Sequence, residues 1–530
     1  MAGMRRGLLV LVAALAGVLS LSTAASSAAP VKTHKSAGLT IRGIDQNGKP
    51  EPIGSGYLFE ADGWPVSSVS TGTYRLPLGR YCIAVIVPTV VDGQQVAGTI
   101  VVREITLRHN TTVTMSAEGS VPVKVSLNGT AVTDLSAGVS IVTGRYAPTV
   151  VMSDVQTASL PLYVEPYHAR NLEFGYLASY QGAGGATSYL AGSSARGIPA
   201  APGGSFSSAR LAAVTVGAAA GTLRPWTGSA VLLNYTGPGG ITGSRQITDG
   251  TAVTDFFSPG LWALSADQLI PDGSAPWDDR NARFAAGRSY TETFFSAAFG
   301  PELAAAGHVY VGNGVTAENG AVARLALTNL FADPNAQYNF GSDLRARAVV
   351  TLSTRGKVVK RSRYNGLDLA RFSAHGRSAG WYNLTVSATR TGSSTLLSPK
   401  VTSRWRFYAP AHASGQQQYP LSFARLSPLG LDLNNEAAPD GTTTVDVTEV
   451  TNYLASGRLP RGDDWRSVTV QASFNDGVTW HSVKSSMGSG GKVSAIISNP
   501  ASGFVSLRVT AVNRQRESAQ QTIYKAYAIG

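Results

Sequence analysis

From residue 38 onward the chain is written in short runs of Val, Thr, Ile, Leu and Tyr, each closed within a few residues by Gly, Pro, Asn or Asp. β-Branched and aromatic residues suit a pleated, half-buried surface, and the punctuating residues supply the φ values that tight turns need. Alternation of apolar and polar residues recurs in these runs while helical periodicity is scarce, so the expected fold class is all-β. Only two short helices are expected, Asp278 to Ala286 and Pro301 to Ala306. A chain of 530 residues exceeds one ordinary core and predicts several consecutive β-sandwich domains.

The N-terminus obeys a different logic. Arg5 and Arg6 precede an uncharged apolar run, Leu8 to Leu21, and then a stretch of small residues, Ser22 to Ala29. That run is too short for a bilayer core of ~20 residues, so residues 1–28 read as a secretory signal peptide cleaved near Ala25 or Ala28. General secretion is preferred to twin-arginine export, because only the arginine pair of the latter signal is present. No later run suggests a membrane span, and the mature protein is expected to be secreted and extracellular. Cys82 is the only cysteine, so export brings no internal disulfide and stability must come from burial. Its place in Arg80-Tyr81-Cys82-Ile83-Ala84-Val85 predicts an inert buried thiol.

The net charge of +12 is unevenly spread: residues 1–330 hold 21 Lys and Arg against 20 Asp and Glu, and residues 331–530 hold 23 against 12. The densest run falls on two expected strands and also includes Arg355; its candidate binding residues are Arg345, Arg347, Lys357, Lys360, Arg361 and Arg363. Cations gathered on one face attract an anionic cell-wall polymer or another secreted protein, whereas the plainer reading is a solvated strand face. Nucleic acid is not the expected partner.

Along the chain, residues 38–118 form a first unit, 119–325 a β-rich middle region with long Gly, Ala and Ser loops, 326–410 a β-sandwich, and 419–530 a C-terminal β-sandwich. The linker-like Ala411 to Gln418 separates the last two. In the first unit, Gly72-Thr73-Tyr74-Arg75-Leu76-Pro77-Leu78-Gly79-Arg80-Tyr81 is similar to the signature of prealbumin-like, carboxypeptidase-regulatory-type sandwiches. Later segments include Gly287 to Phe295, Ala326 to Asp333, Trp381 to Val386, Trp405-Arg406-Phe407, Leu421 to Pro428, Ser473 to Trp480, Ser506 to Ala511 and Ile523 to Tyr527. Together they resemble the accessory region that follows the catalytic domain in large secreted bacterial subtilisin-like peptidases. The resemblance implies prealbumin-like and immunoglobulin-like sandwiches in series, here with the protease domain absent.

The chemistry such a peptidase needs has no counterpart in the sequence. Its Asp-(Ser/Thr)-Gly, His-Gly-Thr-His and Gly-Thr-Ser-Met-Ala segments are missing, so no catalytic residue is assigned. His34, His109, His168, His308, His375, His412 and His481 stand apart from one another and from Cys82, so neither a metal nor a cofactor is expected. Gly376-Arg377-Ser378-Ala379-Gly380 fits the Gly-x-Ser-x-Gly elbow, but that motif works at a strand-to-helix turn, and Trp381 to Val386 read as a strand. Ser473-Phe474-Asn475-Asp476-Gly477-Val478-Thr479-Trp480 resembles an Asp-box hairpin with Asn475 at the acidic position, which implies a folding unit. Asp432, Asn434 and Glu436 have calcium-loop spacing without its glycine or final acid, leaving a looser site with Asp440. Arg461-Gly462-Asp463 reads as a chance tripeptide, and Tyr163, Tyr167, Phe174, Tyr176 and Tyr180 as core residues before sugar platforms. The expected function is non-catalytic adhesion at the cell envelope or to an extracellular polymer or protein. A cryptic serine hydrolase using Ser378, and an inhibitor or chaperone of a separate secreted peptidase, are the alternatives.

Overall fold

The computed structural model describes residues 35–60, 65–143, 161–168, 172–220, 230–269, 277–301, 308–310, 322–326, 330–334, 340–342, 346–365, 369–373, 380–390, 397–409, 418–420, 422–451, 465–488 and 492–530. The fold is all-β: among the described residues 71% are strand and no α-helix occurs.

The first unit is a sandwich. Strand Ser36–Ile44 lies between Gly72–Pro77 (antiparallel) and Thr111–Ser116 (parallel). This small sheet covers a larger one containing Ser55–Glu60, Gly79–Val91 and Gln94–Leu107, with Leu39, Ile41, Leu58, Ile83, Val85, Val101 and Met115 buried between them. The Gly72 to Tyr81 signature builds the turn between strands: the Tyr81 hydroxyl donates to the Pro77 carbonyl at 2.8 Å, and Tyr74 Oη accepts from the Ser70 amide at 2.7 Å. The larger sheet is buried on its second face too, where Phe59, Cys82, Ile100 and Val102 meet Leu162, Val164, Phe174 and Ile198. Cys82 is therefore enclosed, and burial, with a smaller push from Glu104, raises its thiol to about 12.

In the middle region the strands Leu172–Gly182, Ser188–Arg196, Gly203–Ser207 and Ala212–Ala218 run through the Gly-, Ala- and Ser-rich stretch. Its small residues serve close approach. A Cβ on Gly192 would lie 2.8 Å from the Tyr176 carbonyl oxygen, and one on Gly204 would lie 2.5 Å from the Tyr176 hydroxyl. Phe174, Tyr176 and Tyr180 are buried, which makes them core and not sugar platforms. The helix expected at Asp278 to Ala286 is instead the strand Trp277–Phe284, paired to Gly260–Leu269. Its polar residues misled because Asp278 and Arg280 point inward as a buried ion pair. The helix expected from Pro301 lies outside the described residues beyond its first residue.

The C-terminal part is built on one broad sheet. In order across it run Lys357–Asn365, Ala346–Thr354, Gly380–Arg390, Lys400–Ala409, Ser518–Ile529, Gly503–Asn513 and Trp465–Ser473. Lys400–Ala409 pairs with Ser518–Ile529 from Lys400↔Tyr524 to Arg406↔Ser518, so the sheet runs across the boundary expected at residues 411–418. Over its last strands packs a four-stranded sheet of Ser422–Pro428, Thr442–Thr451, Val493–Ser498 and Ser485–Met487, with Phe423, Val445, Ala495, Val470 and Val509 in the shared core.

Candidate binding face

The two central strands of the broad sheet, Gly380–Arg390 and Lys400–Ala409, alternate, and the alternation decides which chemistry reaches the outside. In Gly380–Arg390 the residues Tyr382, Leu384, Val386 and Ala388 are buried, leaving Trp381, Asn383, Thr385, Ser387 and Thr389 on the other face. In Lys400–Ala409 the residues Val401, Ser403, Trp405 and Phe407 are buried, and Lys400, Arg404, Arg406 and Tyr408 are exposed. Cross-strand register aligns these outer residues into rows. One row reads Arg361, Thr351, Thr385, Arg404, Gln520, Thr510, Thr469, and the next reads Arg363, Val349, Ser387, Thr402, Thr522, Arg508, Gln471. The flanking rows add Arg347 with Thr389 and Lys400, and Ser353 with Asn383 and Arg406. Arg347, Arg361, Arg363, Lys400, Arg404, Arg406 and Arg508 thus share one face whose rows contain no carboxylate.

Aromatic rings hold several of these cations. The Arg406 guanidinium lies 3.9 Å from the Trp381 ring centroid, and Arg508 lies 3.9 Å from that of Trp480. Lys400 Nζ sits 5.0 Å from the Tyr524 centroid. Stacking of this kind fixes a guanidinium without neutralising it. Arg508 also feels its surroundings as a cation: burial lowers its pKa, Tyr524 opposes that, and the charge of Arg404 lowers it further. Two neighbouring arginines without an acid between them form an electrostatic demand for an anion.

The hairpin that resembles an Asp-box positions Trp480. Ser473 Oγ donates to Asn475 Oδ1 at 3.0 Å and accepts from the Gly477 amide at 2.9 Å; Asn475 Oδ1 also accepts from the Thr479 amide at 2.9 Å. The Trp480 indole N–H then donates to the Gly477 carbonyl at 2.9 Å, which fixes the ring edge-on to Tyr524. The amide of Asn475 does here what an aspartate does by accepting, and it donates besides to Thr479 Oγ1 at 2.8 Å.

The structure brings three of the sequence-derived binding residues together and separates the others. Arg347, Arg361 and Arg363 lie on the outer face. Lys360 pairs with Leu352 and Lys357 with Thr354, so both turn to the opposite side of the same edge strand. For Lys360 this is ordinary alternation beside Arg361, and for Lys357 it is the β-bulge between Leu352 and Ser353, which shifts the register by one residue. Arg345 lies outside the described residues, as do His375, Ser378 and Arg461-Gly462-Asp463. The Ser378 elbow leads directly into the strand Gly380–Arg390, not into the helix that motif requires. Lys400, Arg404, Arg406 and Arg508 were not selected from the sequence. The first three were detectable there as cations alternating with Val401, Trp405 and Phe407; Arg508 joins them only through strand pairing.

Other polar clusters are satisfied by their own surroundings. Asp432 Oδ1 accepts from the Asn434 and Glu436 amides at 2.8 and 2.9 Å, so the loop with calcium-like spacing is closed by its own backbone. No group of three metal-ligating side chains occurs among the described residues. Asp255 joins Arg245 to the Tyr235 hydroxyl, 2.9 Å away, inside the middle core. Desolvation raises both the Asp255 carboxyl and the Tyr235 phenol. No helix among the described residues is long and apolar enough to cross a membrane.

No family model matches the chain, and no curated protein matches it. Solved structures with some likeness include BcpA, the major pilin subunit of Bacillus cereus, at 10% identity over 49% of this chain and 99% of that one, with a TM-score of 0.12. The Bacillus anthracis TIE protein matches at 11% identity over 69% of this chain and 66% of that one, TM-score 0.15. Escherichia coli alpha-2-macroglobulin matches at 11% identity over 93% and 53% respectively, TM-score 0.13. At such TM-scores none of these carries a functional argument.

Proposed function

We propose that the chain is a secreted, non-catalytic adhesion protein that uses the outer face of its C-terminal sheet to hold an anionic partner at the cell envelope. The observation that carries this reading is the face itself: seven cations in aligned rows, several fixed on aromatic rings, with no carboxylate among them. A merely solvated strand face mixes both signs of charge, since unopposed cations repel one another and weaken the fold. The Arg5-Arg6 leader supports export, and the sequence's resemblance to the accessory part of subtilisin-like peptidases, with none of their catalytic segments, supports a binding role. The test is co-sedimentation of the mature protein with purified cell-wall material at low and at physiological salt. Binding that weakens with salt and is lost when Lys400, Arg404 and Arg406 are together changed to serine is the expected result. Wall material that leaves the protein in the supernatant at low salt refutes the reading.

A further inference from the structure

We propose that the outer face seats a linear phosphodiester polymer of the polyol-phosphate type, lying parallel to the strands; this rests on the adhesion reading above and specifies its ligand. The cations are not scattered evenly. Between them runs a neutral lane on Gly380–Arg390, where Asn383, Thr385, Ser387 and Thr389 succeed one another on the outer side. At ~3.3 Å per residue this lane is about 20 Å long, enough for several repeats of a chain polymer. One bank consists of Arg347, Arg361 and Arg363, and the other of Lys400, Arg404 and Arg406. The outermost strands of the two banks are three strand spacings apart, about 14 Å between backbones, so long side chains from both sides reach over the lane.

The two-sided arrangement selects the kind of anion. A phosphodiester carries its charge within the polymer backbone and has two free oxygens, so one phosphate accepts from both banks at once. A carboxylate on a side group presents both its oxygens on the same side of the chain. Five of the six bank residues are arginine, whose planar fork suits paired hydrogen bonds to such oxyanions, and the lane's hydroxyls and amide can serve a polyol between them. Bases have no evident place on the face. Trp381 and Trp480 engage Arg406 and Arg508 and meet Tyr408 and Tyr524 edge-on, so they act as supports for cations and not as the open platforms on which successive bases stack.

The test titrates the full mature protein into end-labelled poly(glycerol phosphate) and follows fluorescence anisotropy at several salt concentrations. Polyglutamate and oligothymidylate of matched charge are the comparison probes. The expected result is saturable binding of poly(glycerol phosphate) at least about tenfold tighter than either comparison. Arg363→Ser and Arg404→Ser, one from each bank, should each weaken it about tenfold and reduce the salt slope by about one. Arg42→Ser, exposed on the remote strand Ser36–Ile44, should leave it unchanged. Equal or tighter binding of polyglutamate overturns the phosphodiester assignment, and tighter binding of oligothymidylate gives the face to nucleic acid instead. Equal losses in all three variants would mean that net charge alone drives binding, which also overturns the lane. Should poly(glycerol phosphate) fail while wall material is still held through Lys400, Arg404 and Arg406, this inference falls and the adhesion reading stands.

Discussion

Gly477 holds φ at +85°, and a Cβ there would lie 2.6 Å from Tyr524 Cε1 and 3.2 Å from Trp480 Cζ2. The missing side chain is what lets the hairpin bring Trp480 against Tyr524 and under Arg508. Gly477→Ala is expected to cost about 1–3 kcal/mol through left-handed strain and overlap. Urea denaturation measures that cost, and a shift in tryptophan emission should report the displaced ring. Asn435 does comparable work inside the molecule at φ +58°. Its Oδ1 accepts from the Ala297 amide at 2.7 Å, and its Nδ2 donates to the Ala220 and Phe295 carbonyls at 2.8 and 2.9 Å. Asn435→Ala strands two buried backbone groups and one half-buried one together and should destabilise the protein by about 2–4 kcal/mol. A denaturation midpoint equal to that of the parent protein would contradict this account.

Among the elements, Trp277–Phe284 shows how a strand can carry charges into a core. Arg280 donates to Asp278 Oδ2 at 2.6 Å and to Asp333 Oδ2 at 3.2 Å, and lies 4.1 Å from the Phe294 ring centroid. Burial holds the Asp278 carboxyl well above the usual aspartate range; Arg280 pulls it down, but the charge of Asp333 adds to the rise. Asp278 therefore binds its proton more tightly folded than unfolded. The associated stability is fully present below the unfolded pKa, about 3.9, and is lost as pH rises through the higher folded value. Asp278→Asn keeps the shape without the titration, so as pH rises above about 4 its Tm should fall less than that of the parent, or rise more. Parallel Tm profiles for the two proteins would refute the assignment. Asp255 and Asp267 are raised as well, mainly by burial, but remain in both proteins, so the difference reports the cluster of Asp278 with Arg280, Asp333 and Glu292.

Over the whole molecule, a single buried cluster joins Leu177, Val231 and Trp262 of the middle region to Leu384, Trp405, Val509 and Ile529 of the C-terminal part. The broad sheet crosses the linker-like Ala411 to Gln418 without interruption of its pairing. Strands on either side of that linker should therefore open together. Native-state hydrogen exchange is expected to give the amides of Lys400–Ala409 and Ser518–Ile529 matching opening free energies that fall in parallel with denaturant. Separate unfolding of the two would show that the shared sheet does not couple them.

The amino-acid sequence determined the class, because alternation in runs such as Lys400 to Ala409 admits a pleated strand with one buried face and excludes a helix. It also determined the sharp turns, since Arg355-Gly356 and Asp476-Gly477 take the positive φ values that their positions require. It misassigned Trp277–Phe284, where polarity alone cannot reveal that Arg280 is satisfied indoors by hydrogen bonds to Asp278 and Asp333. The binding face belongs to tertiary structure. Arg361, Arg404 and Arg508 are separated by tens of residues, and only the pairing register of six successive strands sets them on one surface. The bulge after Leu352 likewise turns Lys357 to the face opposite Arg361 and Arg363, with which its spacing in the sequence would otherwise align it. Side-chain direction along one strand is a local property with a period of two, whereas proximity between strands depends on the order in which the whole sheet assembles.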